Sequence, residues 1–377
     1  MTRISEITAI TVRVPLTRPV SLATRRVTER VYTLVRVIND AGLHGIGFCY
    51  AGYGGSDLTT STVIDVLAPL LIGEDHHRTA WLWHKMRNAD VPLTGAGHAA
   101  RALSALDIAL WDLNARDAGQ PLHRHIGAYA ATHVDAYRAG GYYGEDDDDD
   151  ALLAEVSRNV AAGARAVKIK VGRFDIDRER RRVLAVRDAI GPGVSLMLDA
   201  NAAWDTVGDA LPYARAYASA DPLFIEDPLP AHDLRGALRL RDLSGVAISL
   251  GETFTSVHEF NAIVTDGICD DLQVDGTSCG GVSGFLRIAD IAEAGGAKVH
   301  AHWFPELHVH LAARLAAPGP VETFPDDSAV NFSRLTTAAP AWEAGRIRLP
   351  TEPGIGFEFD EDAIAAYSDT PWKSVRG

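Results

Sequence analysis

Three cysteines in 377 residues, at positions 49, 269 and 279, are too few and too unevenly spaced for a disulfide framework or a thiolate metal site. That scarcity fits a reducing compartment. The opening MTRISEITAITVRVPL alternates like a first strand and carries no leader-type apolar core, so the expected location is the cytoplasm. No apolar run approaches the roughly 20 residues that a membrane helix needs. Positive charge is also scarce: 36 Lys and Arg stand against 50 Asp and Glu, a formal net charge of −14. This balance excludes the broad basic surface that nucleic acid or an anionic membrane requires. Hydrophobic residues make up 47%, enough to fill one large or two medium cores.

Two textures divide the chain. Residues 1–128 begin with strand-like alternation, ITAITVRV and VYTLVRVI, and continue into helical periodicity, clearest in GHAARALSALDIALWDLNARDAG. This predicts an α+β domain. Over residues 129–322 short apolar runs recur between helical stretches: HVDAYRAG, RAVKIKV, VSLMLDA, PLFIEDP, VAISLGE, DDLQVDG and AKVHAHW. Repeated strand and helix predict a parallel sheet, and seven or eight such units in about 190 residues predict a closed barrel. Residues 323–377 lose the repeat and are expected to return to the first domain. The run EDDDDD, residues 145–150, reads as a solvated acidic helix start, because consecutive flexible carboxylates offer no fixed coordination geometry.

Three successive strand ends each carry one acid: Asp199 in LDAN, Glu226 in FIEDP and Glu252 in SLGET, 27 and 26 residues apart. One strand, its helix and their loops take about that many residues in a barrel, so the carboxylates are expected to converge at one height. Converging carboxylates need a cation, and hard oxygen ligands suit Mg²⁺. The same interval sets Lys170 29 residues before Asp199, Asp275 23 after Glu252, and His302 27 after Asp275. Lys168 and Lys170 leave the strand AVKIKVG on one face, where a metal cluster and an anionic substrate would tolerate them. Their mutual repulsion and the cation are expected to lower Lys170 towards a usable base. Asp275 is expected to orient His302 across the barrel. His300 with His302, and His308 with His310, invite comparison with a zinc hydrolase, but that HxH falls late in the barrel and leaves the acids unexplained. His300 reads as an interior residue, and His308 and His310 as part of the following helix.

KxK at Lys168 and Lys170, DAN at Asp199, IEDP at Glu226, GE at Glu252, then Asp275 and His302, together resemble the enolase superfamily and its mandelate racemase subgroup. PLTRPV, ALDIALWDL, DGTSCGGVSGF and PGIGF carry the resemblance over nearly the whole chain. It implies an α/β fold: a (β/α)7β modified TIM barrel with an α+β capping domain formed by the N-terminal part and the C-terminal tail. It also implies one Mg²⁺ per active site, held by Asp199, Glu226 and Glu252, and abstraction of the proton α to a carboxylate. A Lys or His base with Mg²⁺ stabilising an ene-diolate is the superfamily's general pattern. Carried over residue by residue, Lys170 and His302 are opposed bases and Asp275 serves His302. Lys168 binds the carboxylate and tunes its neighbour. Glu322, in GPVETF, matches a protonated acid that hydrogen-bonds the developing enolate.

The departures are informative. The muconate-cycloisomerase branch has a lysine near the sixth strand end, where this sequence has Asp275 ahead of GTSCGG, which speaks against a cycloisomerase. The loop SLATRRVTER, largely apolar in its mandelate-type counterpart, carries Arg25 and Arg26, suited to hydroxyls or a second carboxylate on the substrate. Tyr50 and Tyr53, in CYAGYGG, belong to a second expected covering loop, and Asn201 to the substrate side of Asp199. The expected reaction is Mg²⁺-dependent dehydration of an aldonate or aldarate to a 2-keto-3-deoxy acid. Racemisation or epimerisation by the same two bases is the alternative, and a catalytically dead scaffold a remote one. The expected partners are a small sugar acid and further copies of the chain in a homo-oligomer, with no nucleic acid and no membrane.

Overall fold

The computed structural model describes residues 2–52, 57–89, 96–144 and 149–377. Strands β1 (Ile4–Ser21), β2 (Arg26–Asn39) and β3 (His44–Gly52) form an antiparallel sheet. Both of its faces are apolar because both are covered: Ile7, Ala9, Val35 and Val37 pack with the cap's helices, while Ile10, Val12, Leu34 and Phe48 join the core shared with the barrel. The helix Gly97–Asp117 is buried on nearly every side, as its alanine-rich sequence allows, between this sheet and the barrel helix Gly281–Gly295. Buried Asp107 accepts the Ser283 N–H at 2.8 Å and its hydroxyl at 2.7 Å, tying cap to barrel.

The barrel strands are β4 (His133–Gly140), β5 (Ala166–Lys170), β6 (Ser195–Asp199), β7 (Pro222–Glu226), β8 (Ile248–Leu250), β9 (Asp271–Val274), β10 (Lys298–Ala301) and β11 (Val321–Thr323). They run parallel in the order β10-β9-β8-β7-β6-β5-β4-β11, and seven helices fill the intervals, giving a nearly closed (β/α)7β barrel. Central strands such as β5 are buried throughout, because helices cover the outside and packed side chains fill the inside. The tail divides between the two bodies. Strand β12 (Arg346–Arg348) pairs with His133–Asp135, the part of β4 that extends beyond its pairings with β5 and β11. Strand β13 (Lys373–Arg376) adds to the edge of the cap sheet against β1.

Candidate active site

The strand register sets the height of the charged groups. Lys170 is the ladder partner of Asp199, and Asp199 that of Glu226, so three neighbouring strands end level. Glu252, Asp275 and His302 each follow a strand end by one or two residues. The exits take conformations that non-glycine residues rarely adopt: Asn201 (φ 46°), Asp227 (φ 42°), Trp303 (φ 55°) and Phe304 (φ 34°) are all left-handed. Such strain persists where the surroundings impose it, and it clusters at functional sites. At the β8 exit the turn needs Gly251, whose φ is 147° and where a Cβ would strike the backbone of Gln273.

The expected groups meet here, and all are buried or nearly so. Lys168 Nζ donates to Glu226 at 2.6 Å and is 2.9 Å from Glu322. Lys170 Nζ donates to Asp199. His302 sits between two carboxylates, with Nε2 2.8 Å from Glu252 and Nδ1 3.3 Å from Asp275. Glu226, Glu252 and His302 each offer a ligand atom within 4.8 Å of one another.

Burial depresses the Lys170 ammonium, but Asp199 together with Tyr142 and Glu252 outweighs it and the net shift is upward. Without the cation that the sequence expectation of a lowered Lys170 invoked, the lysine is bound to an acid, and attraction at contact exceeds repulsion from Lys168. His302 is likewise pushed down by burial and raised further by Glu252 and Asp275, so its net shift is well up. Burial would raise Glu322, yet Lys168 and His302 hold it below the usual range, and its Oε2 accepts the Trp303 N–H at 3.0 Å.

The donor set fits a hard divalent cation. Glu226 Oε1 and Asp227 Oδ1 are buried without a hydrogen-bond partner, and burial raises both groups well above the carboxylate range. Orphaned carboxylate oxygens at this depth are costly unless a cation satisfies them. Asp199, Glu226 and Glu252 would hold that ion.

Other expected residues lie further out. Arg25 and Arg26 are exposed at the tip of the β1–β2 hairpin. That tip reaches the barrel mouth, where Thr24 Oγ1 donates to the Asn201 carbonyl at 3.5 Å. Asn201 is buried and uses its N–H to cap Asp199 Oδ1 at 3.0 Å. Tyr50 packs against Trp303, with ring centroids 5.2 Å apart. Tyr53 and residues 145–148 of the acidic run lie outside the described residues. His300 pairs with Asp271 at 2.7 Å in the barrel interior, and His308 and His310 lie on the helix Pro305–Ala313.

Sequence reasoning missed Asp227, Trp303 and Arg30. Asp227 directly follows Glu226 and was legible only as part of IEDP. Trp303 and Arg30 meet across the cap and barrel, and no spacing in the sequence connects them.

Comparison with known proteins agrees with this arrangement. Residues 5–127 match the mandelate racemase/muconate lactonizing enzyme N-terminal domain, and residues 151–363 match the enolase C-terminal domain-like family. An L-talarate/galactarate dehydratase of Salmonella typhimurium is 31% identical over 93% of this chain and 87% of its own length. A 3,6-anhydro-alpha-L-galactonate cycloisomerase of Streptomyces coelicolor is 33% identical over 88% of this chain and 89% of its own. Among solved structures, the L-talarate dehydratase from Polaromonas sp. JS666, complexed with Mg and L-glucarate, superposes with a TM-score of 0.91 at 31% identity over the whole of both chains. The chain belongs to the mandelate racemase/muconate lactonizing enzyme family of the enolase superfamily.

Proposed function

We propose that this protein is a Mg²⁺-dependent hydro-lyase that dehydrates an acid sugar, an aldonate or aldarate, to a 2-keto-3-deoxy acid. One observation carries the reading: two proton carriers flank the row of acids from opposite ends, Lys170 against Asp199 and His302 against Glu252. A divalent cation held by Asp199, Glu226 and Glu252 would supply the charge that makes the proton α to a carboxylate acidic. Lys168, beside that cluster, binds the substrate carboxylate as a buried point charge.

Lys170 takes the C2 proton, and the electron pair it leaves forms the C2–C3 double bond as the C3 hydroxyl departs. His302, held through Nδ1 by Asp275, gives its Nε2 proton to that hydroxyl, which leaves as water. The resulting enol tautomerises to the 2-keto acid. Both the talarate/galactarate dehydratase and the magnesium and glucarate complex of its relative support an acid-sugar substrate. Before deprotonation of C2, Lys170 must release its proton, so its contact with Asp199 has to be broken first. The same flanking pair would also serve an epimerase, which inverts C2 and loses no hydroxyl. A panel of five- and six-carbon aldonates and aldarates, assayed with Mg²⁺ for 2-keto acid formation, separates the two. Turnover of none, or epimerisation alone, rules out the dehydratase.

A further inference from the structure

His308 has no part in these steps, yet its imidazole touches the residue after each member of the Asp275–His302 pair. Nδ1–H donates to the Trp303 carbonyl at 2.8 Å, and Nε2 accepts the Gly276 N–H at 2.8 Å. A backbone carbonyl can only accept and a backbone N–H can only donate, so these partners select one neutral tautomer. The ring is fully buried, and Phe285 packs beside it at 6.0 Å.

The surroundings depend on that ring. Strands β9 and β10 are paired over Asp271–Val274 and Lys298–Ala301, and the His302 N–H then reaches the Val274 carbonyl at 3.1 Å. His308 carries the tie beyond that bond, two residues past Val274 and one past His302. The Trp303–Phe304 turn is left-handed at both residues, a strained shape that its surroundings must hold. At Gly276 a Cβ would lie 3.1 Å from His308 Nε2 and 3.0 Å from Leu311 Cδ1, so any larger residue there presses on the ring.

We infer that His308 is a positioning residue, a strut between the β9 and β10 exits that keeps Asp275 against His302 Nδ1. The consequence for turnover rests on the two-sided reading of Lys170 and His302 proposed above. The strut itself does not depend on that reading.

The test compares His308→Leu, which removes both hydrogen bonds, with Gly276→Ala, which presses on a ring left in place. Crystal structures of the variants should show the Asp275 to His302 separation widened from 3.3 Å beyond hydrogen-bonding reach. In deuterated water with Mg²⁺ and both C2 epimers of a turned-over acid sugar, exchange at the His302 face should fall about 10- to 100-fold. Exchange at the Lys170 face and KM should stay within about threefold. Retention of the 3.3 Å contact in the variants, or an equal fall at both faces, overturns the inference. Absence of exchange at either face of the unaltered protein would sink the dehydratase reading instead, and the crystallographic distance then decides the strut alone. Should His308→Leu fail to fold, Gly276→Ala supplies both measurements.

Discussion

Trp303 stacks its indole on the imidazole of His302, the ring centroids 5.3 Å apart and the planes 17° from parallel. The Arg30 guanidinium, from the cap strand β2, lies 4.6 Å from the indole, and its Nε donates to the Ala329 carbonyl at 2.9 Å. A cation, an indole and the His302 imidazole thus form one stack that crosses from cap to barrel. Cation–π attraction of this kind strengthens when water is excluded, and Arg30 is buried.

That stack predicts a loss of turnover without a loss of fold. In Trp303→Ala the His302 ring loses its flat neighbour, and kcat should fall about 10- to 100-fold while circular dichroism is retained. Steady-state kinetics on the acid sugar checks this. An unchanged kcat would remove Trp303 from the positioning of His302.

Metal removal should abolish activity, and added Mg²⁺ should restore it. Glu226→Gln deletes one ligand charge and should weaken Mg²⁺ binding by at least about tenfold, read by calorimetry independently of turnover. Full turnover of chelated protein would contradict the metal site.

The hairpin arginines are expected to act on binding. Arg25→Ala/Arg26→Ala should raise KM for a sugar diacid about tenfold and leave kcat within about threefold, as expected when binding is lost equally in ground and transition states. Normal kinetics in the double variant would show that the two arginines do not bind the substrate.

A fourth expectation concerns acid stability. Buried His310 receives the His123 N–H at its Nδ1 and approaches the Ile355 carbonyl through Nε2, each at 3.1 Å. Burial, then His123, pushes its pKa from 6.5 down to about 3. The unfolded chain therefore binds a proton that the folded chain refuses between these values, and stability is lost as pH falls from about 6.5 towards 3. Denaturant unfolding of His310→Gln between pH 7 and 4 should show a shallower decline than the unaltered protein. Parallel curves would mean that His310 does not govern the acid limb.

The acid interval was legible in the sequence because a barrel repeats. Each strand, helix and pair of loops consumes a similar length, so Asp199, Glu226 and Glu252 had to return to one rim, with Lys170, Asp275 and His302 on the same ring. Alternation in the first strands and the alanine-rich helix identified the cap for an equally local reason, since burial of a face leaves a period in the chain. What pairs with what at the rim was not written there. Lys170 is raised because Asp199 lies at contact, and Glu322 is held below the usual range by Lys168 and His302. Those shifts depend on distances of a few ångströms between strands distant in sequence, and electrostatic attraction varies steeply over that range. The Arg30–Trp303–His302 stack and the His308 strut belong to the same class. Each joins residues through space, across the cap boundary or between two strand exits, and only the closed barrel with its cap in place brings them together.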